Sequence, residues 1–424
     1  MISDFLVFFA VYFALGELII VLFAIKYSFK HYEVRLFTFA LLFRLLLTFF
    51  YYYRTFFGGS DATSYYPSAR YIGFHSNFWS FFKTGTIFID NLAWLFYPLI
   101  SFFDNTYLML YIPFSLIAFA GSILFYRTLV FMKIPNWRMI FFVSFFLPNL
   151  VFWSSNLGKD SIIYFGITGL IYSLRKFPKV NFPATLAFGT LIYFVRPHII
   201  GLMLISIMLG IFLQRNKLNF RNIVFFIMLI GSFLFLQEKI FKFVGIKVDR
   251  GEDTEQTQAN NYSVQPGLGD YYDESMKTIE TMSTQYKGTG AEIKQPGKLY
   301  TLLAPYYMIS FISMPFIWQA RTPIQFASAV ESLIYQYFLL IVILNWRLLI
   351  QSTLLPQKYS WIIYTVLTSI IFGMSTSNFG LGVRQKCMVL PLLIIFYVIV
   401  KTKKDETNKL KKEKRALFPL LKPV

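Results

Sequence analysis

Apolar runs of membrane-crossing length recur along this chain, and no other feature limits its fold as strongly. They fall near 4–25, 34–53, 106–126, 139–153, 161–174, 184–195, 199–213, 220–237, 326–345, 359–376 and 386–400. A bilayer's hydrocarbon core is about 30 Å thick and takes about 20 helical residues to cross. The shorter runs therefore predict tilted or broken helices. Composition agrees: 56% of residues are hydrophobic and only 14% charged, where a soluble domain carries about 25% charge. A soluble enzyme, a secreted disulfide scaffold and a disordered tail are excluded. The net charge of +19 would suit a nucleic-acid binder, but not alongside these runs, so no nucleic-acid partner is expected. Cys387 has no second cysteine to pair with, and His31, His75 and His198 with one cysteine form no zinc cluster. No metal and no cofactor is expected.

The expected fold is an all-α integral membrane protein of about eleven transmembrane helices (ten to twelve), with amphipathic helices on the outer face. One polytopic membrane domain covers 1–400, and 401–424 forms a basic cytoplasmic tail. No internal repeat at a fixed period is present, unlike the paired halves of many transporters. The start, Met1-Ile-Ser-Asp4, lacks a basic n-region, so 4–25 is expected to remain as a span.

Orientation follows from Lys and Arg, which favour the cytoplasmic side. The stretch 401–415 holds eight basic residues in fifteen. Working backwards from it, the loops 26–35, 127–138, 175–183, 214–221 and 346–358 share its side. Loops and tail together hold 23 basic residues. A full span at 301–318 would put the tail outside. Pro305 and Pro315 break helices by removing donors, so 301–325 is expected to be re-entrant or interfacial. The N-terminus then lies outside and the C-terminus in the cytoplasm.

The outer face receives the loops 54–105 and 238–300 and the turns 154–160, 196–198 and 377–385. The 238–300 loop, with eight basic and ten acidic residues, is either a solvated loop or a lid that binds an acceptor. Its Asn261-Tyr-Ser263 sequon matters only in a eukaryotic secretory pathway. More informative are cations at outer membrane edges: Arg54, Lys159, Arg196, Arg321 and Arg384. Each stands beside apolar helix, and most have a turn-forming Gly or Pro nearby. Any one of them is either a snorkelling side chain or a member of a site, because ionisable groups at membrane depth tend to be functional. A converging set would bind an anion, since guanidinium forks match phosphate oxygens. Gly158-Lys159-Asp160 also opens a helix, whose N-terminal amides favour phosphate. A phosphate or pyrophosphate at the outer leaflet is the expected ligand, and lipid-linked sugars present one there.

Glycosyl transfer also needs a base for the acceptor hydroxyl. Asp61, in Gly58-Gly-Ser-Asp-Ala-Thr-Ser-Tyr-Tyr66, is one candidate, with a helix cap as its ordinary alternative. His198 is the other. Asp160 is expected to hold Lys159 or cap the next helix, and Glu331 to support the site from the start of the span 326–345. Glu17 and Arg44 lie within the first two spans and are expected to pair with each other outside the site.

At these segments the chain resembles integral-membrane glycosyltransferases and polysaccharide polymerases of bacterial envelopes. The early outer loop with Asp61, Tyr65 and Tyr66 resembles the first outer loop of GT-C glycosyltransferases, where such an Asp is a proposed base. Phe152-Trp-Ser-Ser-Asn-Leu-Gly-Lys-Asp160, Arg196-Pro-His198, Pro315-Phe-Ile-Trp318 and Asn378-Phe-Gly380 with Arg384 are similar to motifs of capsule and exopolysaccharide proteins near the Wzy-like and EpsG-like polymerases. The resemblance implies outer-face arginines holding a lipid pyrophosphate in a bacterial cytoplasmic membrane. Its partners would be a polyprenyl-linked saccharide, membrane lipid and polysaccharide assembly proteins. No Asp-x-Asp tandem supports a metal-dependent sugar-nucleotide mechanism. A flippase or transporter of lipid-linked sugars, an acyltransferase using His198, and a non-catalytic scaffold are the alternatives.

Overall fold

The computed structural model describes residues 2–55, 62–72, 83–103, 106–177, 179–214, 304–375 and 379–417. Asp61, Asn378, the run 220–237, the loop 238–300 and its sequon lie outside these residues. Among the described residues all regular structure is helical, as the sequence predicts.

The helices are α1 (Ile2–Tyr27), α2 (His31–Arg54), α3 (Ala62–Pro67), α4 (Thr86–Ser101), α5 (Tyr111–Phe131), α6 (Trp137–Phe145), α7 (Pro148–Ser154), α8 (Lys159–Leu174) and α9 (Phe182–Val195). They continue with α10 (Pro197–Gln214), α11 (Ala304–Ser313), α12 (Pro323–Leu344), α13 (Trp346–Gln351), α14 (Lys358–Ser375), α15 (Phe379–Gln385) and α16 (Leu390–Leu417). Among the described residues, five helical stretches are long and apolar enough to cross a membrane: Asp4–Tyr27, His31–Arg54, Tyr107–Phe131, Pro197–Gln214 and Gln325–Leu344. Two bent pairs raise the number to seven. One joins α6 to α7 at 43°, and the other joins Gly380–Met388 to Leu390–Lys411 at 60°. The first break falls at Pro148, which cannot continue the helical hydrogen bonding of α6. Helix α11 likewise stops at Ser313, two residues before Pro315.

The described helices gather into two compact units, one formed by α1–α9, α12, α13, Arg384, Gln385 and α16, the other by α10, α11 and α14. In the first, α5 is apolar round its circumference and largely buried, as expected of a helix at the centre of a bundle. Small residues bring its neighbours close. A Cβ on Gly121 of α5 would lie 3.0 Å from the Phe165 backbone of α8, and one on Gly169 of α8 would lie 2.2 Å from the Phe188 ring of α9. Such approaches are how helices pack where hydrocarbon offers no hydrophobic drive. The run Cys387–Val400 is buried throughout, and Tyr397 stacks on Phe338 of α12 at 4.1 Å. Beyond it α16 stays helical through the basic tail, with i,i+3 and i,i+4 pairs such as Lys403–Glu406.

The second unit is also closely packed. Gly210 of α10 faces the Ser360 backbone of α14, and Gly373 of α14 faces Tyr307 of α11. Phe372 of α14 stacks on Phe311 and meets the His198 ring edge-on, at 5.8 and 6.2 Å.

Candidate functional site

The first unit contains three buried polar centres strung along one short helix, α7. Their shared cause is local. The segment Pro148–Ser161 folds as seven helical residues, a turn at Ser155–Gly158 and the start of α8, so its polar groups are exposed to neighbours instead of being consumed in one long helix.

At the end of the turn lies Asp160, fully buried in the first turn of α8. One carboxylate oxygen, Oδ1, accepts from Arg196 Nη2 at 2.9 Å. The other, Oδ2, accepts from Arg384 Nε and from Asn156 Nδ2, the latter at 3.1 Å. Asn156 is held in turn, donating to the Tyr51 hydroxyl at 3.4 Å and accepting from Ser161 Oγ at 2.9 Å. Two arginines far apart in sequence thus share one carboxylate. Their side chains keep 11% and 15% exposure while Asp160 has none. The acid is therefore the fully buried member of the centre, and the two arginine side chains are its partly exposed members. Arg196 also donates from Nη1 to Met388 Sδ at 3.9 Å, while its Nε has no hydrogen-bond partner among the described residues.

Lys159 takes another direction. Its ammonium donates to Thr86 Oγ1 of α4 at 2.7 Å. The expected Lys159–Asp160 association gives way to the arginine pair because adjacent residues on a helix point to different faces. Asp160 is not the cap of α8 either, since Gly158 holds that position. Thr86 is placed by Gly85, whose φ of 84° suits a residue without a Cβ. Gly85 N–H donates to the Phe194 carbonyl at 2.8 Å, and Phe88 stacks on Phe194 at 5.2 Å. These contacts fasten α4 beside the end of α9, next to Arg196. Tyr65 of α3 approaches the same turn, with its ring 3.6 Å from where a Gly158 Cβ would stand.

The second centre surrounds Arg44 of α2, which is 2% exposed. Its guanidinium donates to the Ser154 carbonyl (3.3 Å) and to the hydroxyls of Ser155, Ser122 and Ser154, each at 3.2 Å. The expected pairing with Glu17 is therefore corrected: hydroxyls and the C-terminal carbonyl of α7 receive this cation. Glu17 Oε1 is buried without a hydrogen-bond partner among the described residues. Beside this centre, Ser115 Oγ lies 2.8 Å from both Thr48 Oγ1 and the Tyr12 hydroxyl.

The third centre lies at the other end of α7. Glu331 of α12 accepts from the Asn149 N–H and from the Tyr335 hydroxyl. Asn149 is bracketed by Ser328, whose hydroxyl donates to Asn149 Oδ1 at 2.9 Å. Lys386, 2% exposed, donates to Ser332 Oγ at 3.3 Å, and its ammonium lies 5.8 Å from the Tyr335 ring centre.

The remaining expected residues are placed as follows. Arg54 lies over the Trp153 ring at 5.0 Å, which joins it to α7 by a cation–π contact. Arg321 is exposed, and its backbone N–H donates to Gln325 Oε1 at 2.8 Å at the start of α12. His198 belongs to the second unit, against Phe372. Arg196, Arg384 and Asp160 are thus brought together, with Lys159 next in sequence. Glu331 joins Lys386 in a separate centre.

Sequence reasoning missed Asn156, Asn149, Tyr335 and Lys386. Lys386 opens the apolar run 386–400 and was absorbed into it. A lysine at the edge of such a run was the available signal. Among the described residues no group of three His, Cys, Asp or Glu side chains is arranged to hold a metal ion. No family model, curated protein or solved structure matches this chain.

Proposed function

We propose that this protein is a membrane glycosyltransferase or polymerase of cell-surface polysaccharide. In this reading it draws sugar from a polyprenyl-phosphate or polyprenyl-pyrophosphate carrier at the outer face of a bacterial cytoplasmic membrane, without a metal. The supporting observation is the convergence of Arg196 and Arg384 on Asp160, with both arginine side chains partly exposed and the acid fully buried. Preorganised cations of this kind stabilise the charge that develops on a leaving phosphate. In the reaction, the acceptor oxygen forms a bond to the anomeric carbon as the bond from that carbon to the carrier phosphate breaks. The acceptor proton passes to a carboxylate or imidazole, with Asp61 and His198 as the alternatives. The carrier phosphate leaves with the electron pair, facing the arginines. An eleven-span topology with the N-terminus outside and the basic tail in the cytoplasm accompanies this reading.

The test is the surface-polysaccharide profile of a deletion strain complemented with wild type or Arg196→Ala. The expected result is a long glycan ladder restored by wild type and not by Arg196→Ala, with single repeat units retained if the protein is a polymerase. An unchanged ladder in the deletion strain sinks the reading.

One observation favours a second reading, a flippase or transporter of lipid-linked sugars. Glu331, within α12, is bonded to Asn149 beside the Pro148 break, and Lys386 lies just before the 60° break; both are buried, and broken helices with ionisable residues mark transport pathways. Accumulation of a complete lipid-linked precursor on the inner leaflet of deletion-strain membranes would select it over transfer.

A further inference from the structure

The sequence Arg384-Gln-Lys-Cys-Met388 carries two cations into two different buried centres. Arg384 bonds Asp160 through Nε. Two residues later Lys386 is seated on α12, on Ser332 and beside Tyr335, which donates to Glu331. Glu331 and Lys386 also interact electrostatically. Met388, at the end of the turn, meets Arg196. This turn is the last part of the segment Gly380–Met388 and ends at the 60° break before Leu390, so α16 does not continue its helical hydrogen bonding in line.

The polar contacts close into a circuit. Glu331 holds the first turn of α7 through Asn149. The last turn of α7 holds Arg44 through Ser154 and Ser155. Asn156 then leads to Asp160, Asp160 to Arg384, and the turn back to Lys386 and α12. The two bent helix pairs among the described residues, broken at Pro148 and after Met388, both take part in the circuit.

We infer that Lys386 and Glu331 are positioning residues: by seating the 384–388 turn on α12 they hold Arg384, and through Met388 Arg196, in the orientation in which the pair receives an anion. This inference rests on the anion-binding part of the proposed function. It assigns Glu331 to the support of the arginine pair through Lys386 and not to contact with the ligand. Loss of Lys386 frees the turn to rotate about the break, and the two guanidinium groups then no longer present one face.

The chain's single cysteine, Cys387, lies in this turn and is buried, so it reports the turn's position without an introduced label. The experiment uses the full chain in lipid nanodiscs, with two readouts: the rate of Cys387 alkylation by N-ethylmaleimide, and the affinity for inorganic pyrophosphate by calorimetry. Wild type is expected to alkylate slowly and to bind pyrophosphate, and Arg384→Ala to lose that binding. Lys386→Met and Glu331→Gln are expected to alkylate faster and to bind about tenfold more weakly, the scale set by one lost hydrogen bond to a charged group. Lys386→Arg restores both readouts. Ser332→Ala removes only the seat of the ammonium and gives a smaller shift in the same direction, which covers the case of a variant that does not fold.

Unchanged alkylation and unchanged affinity in Lys386→Met and Glu331→Gln would overturn the inference. So would faster alkylation with unchanged affinity, because the turn would then move without moving the arginines. Failure of wild type itself to bind pyrophosphate overturns the anion clamp, and with it the positioning role. That failure is recognised on wild type alone, before any variant is compared.

Discussion

Two buried arginine centres lie a few residues apart along the same turn and are neutralised in opposite ways. Arg44 is sealed, with its charge spread over three serine hydroxyls and one helix-terminal carbonyl. Arg196 and Arg384 share a carboxylate and keep part of their surface open. A cation surrounded by hydroxyls can accept no further ligand without losing hydrogen bonds. A pair over one carboxylate keeps part of its side-chain surface exposed. The first arrangement fixes a fold, and the second is where the proposed function has an anion bind. Burial alone does not separate them; the exposed part of the arginine pair does.

The largest effect that would sharpen this contrast is expected for Asp160→Ala. It leaves two guanidinium groups without their shared partner, and breaking a buried ion pair from one side costs about 3–5 kcal/mol. Thermal unfolding in detergent should show a large loss, and unaltered stability would break the view of Asp160 as the buried partner of both arginines. Next is Arg44→Met, expected to cost about 2–3 kcal/mol from hydrogen bonds to a charged donor. Pyrophosphate binding should persist in the folded fraction; its loss would show that the two centres are not separate in role.

Arg196→Lys keeps the charge but not the planar fork. It should melt near wild type while binding pyrophosphate about tenfold more weakly, and unchanged affinity would mean that a point charge is enough. Arg54→Ala removes one cation–π contact, a loss of about 0.5–1 kcal/mol, and should leave the arginine pair intact. Smallest is Arg321→Ala, for which no resolvable change in melting is expected from an exposed side chain. Loss of the glycan ladder in that variant would reveal a role at the ligand that its position does not suggest.

Much of this was legible in the chain, though unevenly. The runs 4–25, 34–53 and 106–126 appear as helices Ile2–Tyr27, His31–Arg54 and Tyr111–Phe131, because a continuous apolar stretch of that length has one low-energy backbone solution away from water. The run 139–153 was equally visible but folds as two helices, with Pro148 at the break. The cations at the ends of apolar runs were visible one by one, and Arg196 and Arg384 do share Asp160. Lys159 and Arg54 looked the same in sequence and have other partners: Thr86 in one case and the Trp153 ring in the other. Arg44 is legible as a charge inside an apolar run, but its partners are not. Glu17 offered an opposite charge inside the neighbouring span, whereas the serines on and just after α5 and α7 offered the acceptors within reach in space.

The sequence by itself determined that the chain is helical and apolar along most of its length, where helices stop at proline, and which side chains are too costly to bury without a purpose. Those properties depend on neighbours within a few residues, or on the solvent a segment must face. Only the tertiary structure decided which charges meet. Asp160 is offered Lys159 by sequence and receives Arg196 and Arg384 instead. Lys386, hidden at the edge of an apolar run, is seated on Ser332 and beside the Tyr335 ring. Partner choice in a low-dielectric interior is set by distances of a few ångströms between helices far apart in the chain, and no spacing along one chain encodes those distances directly.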